Sequence, residues 1–354
     1  MRRMLSLTSA LLAGALLVAG CGGGTNTAST SPSPTGGASS AAGGSSLKVG
    51  LAYDIGGRGD KSFNDAAAAG LERAKAEFGV QAKELEARPG ETEAQKEERL
   101  RLLAQGGYNP IVAVGFAYAG AVKKVAAEFP KTSFAIVDDA SFQAPNVASL
   151  VFAEEQGSFL VGVAAALKSK TGHVGFIGGV NTPLLQKFQA GFDAGAKAAK
   201  PSIKIEDTYL TQPPDFTGFQ DPAKGKIAAQ GMYQRGVDII FAAAGSSGLG
   251  VFQAAKDAGA LAIGVDSDQY NTVDATLKPV VMTSMIKKVD VAVYDFIKSV
   301  VDGSPLTGVH TYDLKAGGVD YSTSGGQVND IKSQLDNYKQ KIISGEIIVP
   351  DKLG

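Results

Sequence analysis

Four aspartates stand at the ends of predicted strands, where their side chains would share one crevice. Asp54 follows the first predicted strand, Asp138 and Asp139 follow the fourth, and Asp266 follows a strand at 261–265. An ionised carboxylate accepts hydrogen bonds from neighbouring hydroxyl groups, and such charge-assisted bonds are stronger than neutral ones. Taken singly, each aspartate is more typical of a helix cap or an Asx turn. Together they indicate a site for a ligand with hydroxyl groups, such as a sugar or a ribose.

Two phenylalanines and two further strand-end residues extend this candidate site. Phe63 and Asn64 lie at the start of a predicted helix, and Phe188 lies in a later helix. Aromatic rings near loops can hold a flat base between their faces, although a half-buried Phe is more often part of a core. Gly245 and Lys287 come shortly after later predicted strands.

The elements that must position these residues alternate along the chain. Apolar runs predict strands at 48–53, 80–86, 110–114, 132–137, 147–152, 172–178, 203–209, 237–243, 261–265 and 279–284. Stretches of helical period lie at 64–78, 92–106, 117–129, 155–169, 184–199, 221–235, 248–259 and 286–302. This order predicts an α/β fold of parallel sheets with helices on both faces. Ligands of such sheets bind beyond the carboxyl ends of the strands, where the aspartates lie.

The first 21 residues predict export. Arg2 and Arg3 precede an apolar run at 11–18, and small residues lead to Cys21. This pattern is typical of a secretory signal peptide, which is too short and wrongly flanked for a membrane-spanning helix. Its end resembles the lipobox of bacterial lipoproteins, which implies that Cys21 carries a lipid anchor on the extracytoplasmic face of the cell membrane. A secreted protein with a free Cys21 and a retained signal anchor are the alternatives.

Composition narrows the function classes of the exported part. Residues 22–46 contain only Gly, Ser, Thr, Pro, Ala and Asn, which predicts a flexible tether. Cys21 is the one cysteine of the chain, which excludes a disulfide framework and a zinc site made of thiolates. The chain has 34 basic and 35 acidic residues, and loss of Arg2 and Arg3 leaves a net charge of −3. We therefore expect no nucleic-acid partner.

Several segments in order along the chain resemble the basic membrane protein family. They are GRGDKSFN at 57–64 after Asp54, FAIVD at 134–138, PNV at 145–147, GSFLVGVAA at 157–165, GFIGG at 175–179, FQAGF at 188–192, AG at 244–245, GVD at 264–266 and TSMIK at 283–287. The match runs from about residue 47 to beyond Lys287 with compatible spacing. It is therefore more specific than any one of the motifs.

The resemblance implies a substrate-binding lipoprotein of an ABC-type nucleoside importer with a type I periplasmic-binding-protein fold. Two doubly wound parallel-sheet lobes, joined by crossing strands, would close around the ligand. Lobe 1 is expected to hold 47–153 and about 286–322, and lobe 2 to hold 154–285 and about 323–354. The implied partners are a nucleoside, with purines favoured, and the permease subunits of the transporter. We expect a monomer that needs no cofactor and no metal.

The family pattern also assigns roles to residues of this chain. Asp54, Phe63, Asn64 and Asp138 would contact the base and sugar from lobe 1. From lobe 2, Phe188 would face Phe63 across the base, Asp266 would take the ribose hydroxyls and Gly245 would allow close backbone approach. Lys287 would add a polar contact from a crossing segment. The sequence leaves open whether Asp138 or Asp139 faces the ligand. Arg58 has no place in the implied site.

Other function classes compete with this interpretation. The same fold suits a sugar receptor, or a signalling receptor whose ligand is not transported. A nucleoside or glycoside hydrolase could use Asp54, Asp138 and Asp266 as acid, base or metal ligands. Against an enzyme, the chain has only His173 and His310 and lacks a Gly-x-Ser-x-Gly nucleophile motif. We therefore predict a binding protein rather than an enzyme.

Overall fold

The computed structural model describes residues 47–354, so the predicted signal peptide, Cys21 and the tether at 22–46 lie outside the described residues. The strands are β1 (Lys48–Ala52), β2 (Gln81–Leu85), β3 (Ile111–Ala113), β4 (Phe134–Val137), β5 (Val147–Phe152), β6 (His173–Val180), β7 (Lys204–Thr211), β8 (Ile239–Ala243), β9 (Leu261–Asp266), β10 (Val281–Lys287), β11 (Gly308–Tyr312) and β12 (Val319–Tyr321). The helices are α1 (Phe63–Phe78), α2 (Glu93–Gln105), α3 (Ala119–Glu128), α4 (Glu154–Lys168), α5 (Pro183–Ala199), α6 (Pro222–Gln234), α7 (Gly248–Ala258), α8 (Gln269–Thr272), α9 (Val289–Val301) and α10 (Lys332–Ile343).

The strands form two six-stranded sheets with equivalent orders. The first sheet runs β11-β5-β4-β3-β1-β2, and the second runs β12-β10-β9-β8-β6-β7. Strands β1 to β5 of the first lobe therefore correspond in position to β6 to β10 of the second. All paired neighbours are parallel except β12, which is antiparallel to β10. The predicted pair of parallel-sheet lobes is confirmed.

Helices bury both faces of the sheets, which explains why the strands read as continuous apolar runs. In the first lobe, Val112 of β3 packs in the cluster that contains α1 and α9. Its neighbours Ile111 and Ala113 pack in the opposite cluster with α2 and α3. A strand buried on both sides needs apolar residues at every position. Such a continuous apolar run is easy to recognise in the sequence, which is why these strands were predicted.

Close packing of α4 on α5 sets the place of Phe188. A Cβ atom at Gly162 of α4 would lie 2.1 Å from the carbonyl oxygen of Phe192. One at Gly195 of α5 would lie 2.0 Å from the carbonyl oxygen of Phe159. Only glycine permits this approach of the two backbones. The helix that carries Phe188 is thereby held against the start of α4.

The chain crosses between the lobes three times, and one crossing differs from the expectation. It passes from β5 to α4, from β10 to α9, and from β11 to β12. The prediction placed residues up to about 322 in lobe 1, but β12 pairs with β10 in the second sheet. Its residues Val319 and Tyr321 are buried there. With only three residues, β12 is too short for a hydrophobic pattern that would show which sheet it joins.

Candidate functional site

All eight predicted site residues line one crevice between the lobes. Asp54, Phe63, Asn64 and Asp138 come from the first lobe, and Phe188, Gly245, Asp266 and Lys287 come from the second. The crevice encloses about 520 Å³ of space between protein atoms, including the part open to solvent. It lies at the carboxyl ends of both sheets, as expected for parallel α/β units. Its lining of carboxylates, one ammonium and aromatic rings suits a small polar organic ligand.

Two aspartates occupy equivalent places in the two sheets. Asp138 directly follows β4, and Asp266 is the last residue of β9, which corresponds to β4 in the second lobe. Both have a left-handed backbone, with φ of 67° and 63°. Aspartate tolerates this conformation better than most residues, although it remains uncommon outside glycine. The turn at each strand end directs both carboxylates into the crevice.

Lys287 is the cation at the centre of the site. It ends β10, is 2% exposed, and its Nζ lies 2.6 Å from Asp138 Oδ2 and 3.5 Å from Glu154 Oε1. These carboxylates raise the pKa of Lys287, so the ammonium stays charged although it is buried. The same nitrogen lies 4.9 Å from the centre of the Phe63 ring and 5.5 Å from that of Phe188. Both ring faces stabilise the charge through cation–π attraction.

The two rings expected to face each other therefore share one neighbour. Phe188 is 3% exposed, and Phe63 is half-buried. Both rings thus lie beside the Lys287 ammonium, in the same part of the crevice.

Burial raises the pKa of three aspartates in the crevice. Burial raises the pKa of Asp54 to about 7 and that of Asp138 to about 7, the latter in spite of the nearby Lys287 ammonium. Burial also raises the pKa of Asp266, against the hydrogen bond from Ser62 and the charge of Lys287. Asp138 Oδ1 is buried without a hydrogen-bond partner among the described residues. A ligand with a hydrogen-bond donor would satisfy this oxygen.

A compact turn holds Asp54 and Asn64 together. Asn64 Oδ1 accepts from the backbone N–H of Asp54 at 2.9 Å. Asp60 in turn accepts from the backbone N–H groups of Ser62 and Asn64 at 2.9 and 2.8 Å, and from Asn64 Nδ2 at 3.0 Å. The first turn of α1 thus obtains its missing acceptors from Asp60. Sequence reasoning missed Asp60, although an aspartate just before a predicted helix is a recognisable capping signal.

The structure separates Asp138 from Asp139. Asp139 Oδ1 accepts from the backbone N–H of Ser141 at 3.1 Å and from its hydroxyl at 2.9 Å. It therefore closes a local turn, and Asp138 is the residue that lines the crevice. Arg58, which had no expected role, pairs with Glu84 at 3.0 Å and with Asp65 at 3.4 Å. It ties the loop after β1 to its surroundings.

Glu154 is the other residue that the sequence did not reveal. It begins α4 just after the first crossing and is 1% exposed. Its Oε2 accepts from Lys187 Nζ at 2.6 Å, while its Oε1 faces Lys287. An acidic residue in a first helical turn is so common that it carries no signal of a buried ion pair.

The two histidines lie outside the crevice lining, and one nearby aspartate forms a local hydrogen bond. His173 stands at the start of β6, at the end of the sheet opposite the crevice, and His310 lies on β11. Asp268, two residues after Asp266, accepts from Asn271 Nδ2 at 2.7 Å. The crevice thus combines carboxylates, one ammonium and aromatic faces, which can bind a polar planar ligand.

Known proteins are similar to this chain in sequence and in fold. The family model described as "ABC transporter substrate-binding protein PnrA-like" matches residues 47–352. The "ABC transporter nucleoside-binding protein BmpA" of Lactococcus lactis is 34% identical over 326 residues, which cover 86% of this chain and 90% of that protein. "Basic membrane protein A" of Borreliella burgdorferi is 34% identical over 300 residues, which cover 82% and 84%.

A solved structure agrees with this assignment. The crystal structure of an ABC transporter solute-binding protein from Aeropyrum pernix K1 is 32% identical, with a TM-score of 0.75, and the match covers 86% of this chain and 94% of that one. It confirms the predicted periplasmic-binding-protein fold. Among residues 47–354, no helix combines the length and apolar character needed to cross a membrane. The chain belongs to the basic membrane protein family of ABC transporter substrate-binding proteins.

Proposed function

We propose that this substrate-binding protein captures nucleosides, with purines favoured, and delivers them to its transporter. The observation that carries the proposal is the convergence of Asp138, Asp266 and Lys287 with the rings of Phe63 and Phe188 in one buried crevice. A nucleoside joins a flat base to a ribose with vicinal hydroxyls, so it matches both kinds of group. The nucleoside-binding relative of Lactococcus lactis supports the same ligand class.

Each part of a nucleoside has a matching group in the crevice. The base would lie between Phe63 and Phe188, where stacking is favourable for any base. Its polar edge would meet Asn64 and the unpartnered Oδ1 of Asp138. The ribose hydroxyls would donate to Asp266, because an ionised carboxylate accepts two such bonds.

The remaining site residues complete the pocket wall. Gly245 has a left-handed φ of 54°, and a Cβ atom there would lie 2.8 Å from the carbonyl oxygen of Phe219. A larger residue would disturb the wall, so glycine keeps the backbone close to the ligand. Asp54 lies two residues after β1 and would accept a hydrogen bond from the base or the sugar. These are binding roles, and we propose no chemical step.

We propose that the protein works on the extracytoplasmic face of the cell membrane, anchored through a lipid on Cys21. Residues 22–46 would tether the binding body near the permease subunits. A monomer is sufficient, because one chain supplies every residue of the crevice. Ligand contacts from both lobes stabilise the closed form, and that form is what the permease would recognise.

Calorimetric titration tests the proposal directly. The chain without its first 21 residues is unfolded and refolded to strip carried ligand, and is then titrated with nucleosides, free bases, nucleotides and sugars. Each compound is checked by mass for cleavage. We expect one-to-one binding of intact nucleosides. Binding of sugars alone would assign a different ligand class, turnover of any compound would contradict a binding protein, and silence across the panel would point to a signalling ligand.

A matched pair of variants tests the site. Asp266→Asn removes the proposed acceptor of the ribose, whereas Asp268→Asn changes a nearby carboxylate that lies outside the crevice lining. We expect only the first to weaken nucleoside binding. Equal loss in both variants would contradict the assigned role of Asp266.

A further inference from the structure

The loop before α1 contacts the second lobe directly, beside the crevice. Ser62 is fully buried, and its hydroxyl donates to Asp266 Oδ2 at 2.6 Å. In the opposite direction, the hydroxyl of Ser267 donates to the carbonyl oxygen of Ser62 at 2.9 Å. Residues of different lobes thus exchange hydrogen bonds next to the carboxylate assigned to the ribose. The Ser62 hydroxyl lies within the protein, so it needs no ligand to make its bond.

Gln269 supplies a second contact between the lobes. It is 1% exposed, and its Oε1 accepts from the backbone N–H of Val265 at 3.0 Å. This bond orients the amide so that its Nε2 donates to the carbonyl oxygen of Lys61 at 3.0 Å. A Cβ atom at Gly264 would lie 2.6 Å from Gln269 Oε1, so glycine makes room for the side chain. The φ of Lys61 is 58°, a left-handed conformation that costs energy outside glycine.

We propose that Ser62 is a positioning residue that orients Asp266 across the crevice, and that Lys61, Ser62, Ser267 and Gln269 form a latch between the lobes. This inference rests on the proposed function, because it takes Asp266 as the acceptor of the ribose. When the lobes separate, Asp266 loses the Ser62 hydroxyl and Gln269 loses the Lys61 carbonyl. The ribose acceptor is therefore completed only by closure.

The latch predicts that a larger fraction of the ligand-free protein is closed than would be closed without these hydrogen bonds. Apparent affinity equals intrinsic affinity reduced by the fraction of molecules that are competent to bind. Hydrogen bonds that exist only in the closed form increase that fraction before any ligand arrives. Ser62 thus contributes to affinity without occupying the ligand's place in the crevice.

Affinity and its pH dependence test the positioning role. Asp266 faces Lys287 from β10, Glu154 from α4 and Ser62 from the other lobe, and the Ser62 bond lowers its pKa against burial. We expect Ser62→Ala to weaken nucleoside binding by about tenfold or more, because the lost bond is to a charged group. The fall of affinity at acidic pH should also begin at a higher pH than in the wild type. A merely structural serine would leave that pH profile in place.

Ser158→Ala is the matched control for this experiment. Ser158 is as deeply buried as Ser62, and its hydroxyl has no hydrogen-bond partner among the described residues. We expect Ser158→Ala to keep both the affinity and the pH profile of the wild type. If Ser62→Ala behaves like Ser158→Ala in both measurements, the positioning role is wrong.

Small-angle X-ray scattering of the ligand-free protein tests the latch without any ligand. Gln269→Glu keeps an oxygen for the Val265 N–H but turns the donor toward Lys61 into an acceptor. At alkaline pH, where the new carboxyl is ionised, we expect a larger radius of gyration than for the wild type. Equal radii for the two proteins would overturn the latch. This result does not depend on nucleoside binding, so failure of the latch and failure of the proposed function are distinguishable.

Discussion

Gly115 in the first lobe and Gly245 in the second occupy equivalent places, two residues after β3 and β8. Both have a positive φ, 102° and 54°. Asp138 and Asp266 are equivalent in the same way at β4 and β9, again with left-handed backbones. The two sheets therefore deliver the same turns to the crevice from opposite sides. The repeated backbone creates matched places for side chains.

The side chains in those matched places differ, and the fifth strands show how. β5 ends at Phe152 and β10 ends at Lys287, and the Lys287 ammonium lies 5.1 Å from the centre of the Phe152 ring. The first lobe thus brings a ring and the second lobe brings the cation. Equivalent positions meet across the crevice as complementary partners. The two lobes have equivalent backbones but carry different side chains at equivalent positions. The complete site therefore needs both lobes.

The largest expected effect comes from removing the cation. Lys287→Met would leave Asp138 and Glu154 buried beside an apolar chain, and breaking a buried pair in this way costs about 3–5 kcal/mol. The free energy of unfolding, measured by urea denaturation, should fall by that amount. Lys187→Met is the control, since Lys187 also bonds Glu154 but its side chain is 28% exposed. An equal loss in both variants would contradict the central place of Lys287.

Substitution of the two equivalent aspartates should have different effects. We expect loss of Asp138 to reduce mainly stability and loss of Asp266 to reduce mainly nucleoside binding. Asp138→Asn removes the charge 2.6 Å from Lys287 but keeps an amide oxygen there, so we expect the free energy of unfolding to fall by about 2 kcal/mol. Asp266→Asn should leave the melting temperature closer to that of the wild type, because burial already disfavours its charge. It should instead weaken nucleoside binding by about 10–100-fold through the loss of charge-assisted bonds. A melting temperature that collapses together with binding in Asp266→Asn would contradict this division.

The equivalent glycines should differ by a smaller amount. A Cβ atom at Gly115 would lie 2.2 Å from Asp54 Oδ2, at a φ that side chains rarely adopt. We expect Gly115→Ala to cost about 2 kcal/mol of stability and to displace Asp54 from the crevice. Gly245→Ala has the milder φ and should cost about 1 kcal/mol. Thermal melts and nucleoside titration of both variants measure the difference, and a reversed order would show that the two turns are not equivalent.

The smallest expected effect is the response to pH. Burial raises the pKa of Asp54 from 3.8 to about 7. The charge of Lys96 lowers this pKa, and the charges of Glu91 and Asp60 raise it. Between these values the folded state binds more protons than the unfolded state, so this group makes the ligand-free protein more stable as the pH falls. Nucleoside binding should change in the opposite direction, by a few-fold over the first unit below neutrality, because an acceptor carboxylate must be ionised.

Two measurements check the opposed trends. Urea denaturation across the range gives the ligand-free stability, and calorimetry in buffers of different ionisation heat gives the protons exchanged on binding. Asp54→Asn should make both stability and affinity depend less on pH. Asp65→Asn is the control and should leave both dependences unchanged, since Asp65 lies in the first turn of α1 and outside the crevice lining. Parallel trends for stability and affinity would show that Asp54 does not titrate in the crevice.

Most of the fold was predictable, and the exceptions share a physical cause. Each predicted strand and helix has a counterpart, because sheets covered on both faces require long apolar runs. The missed elements are the edge strands β11 and β12, the four-residue helix α8 and the helix α10. Gly308–Tyr312 alternates between half-buried and exposed positions, and Lys332–Ile343 is largely polar. Elements that are very short, or that bury little apolar surface, leave a weak pattern in the sequence.

The sequence alone determined which residues stand at the strand ends, because each strand end follows from local hydrophobic pattern. That was enough to select Asp54, Asp138, Asp266 and Lys287, although it could not choose between Asp138 and Asp139. Tertiary structure decided that choice, through the left-handed turn at Asp138 and the partner that it finds 149 positions away. It also brought Ser62 against Asp266 and Glu154 beside Lys287. Contacts between lobes join residues that are distant in sequence, and no local pattern records which of them meet.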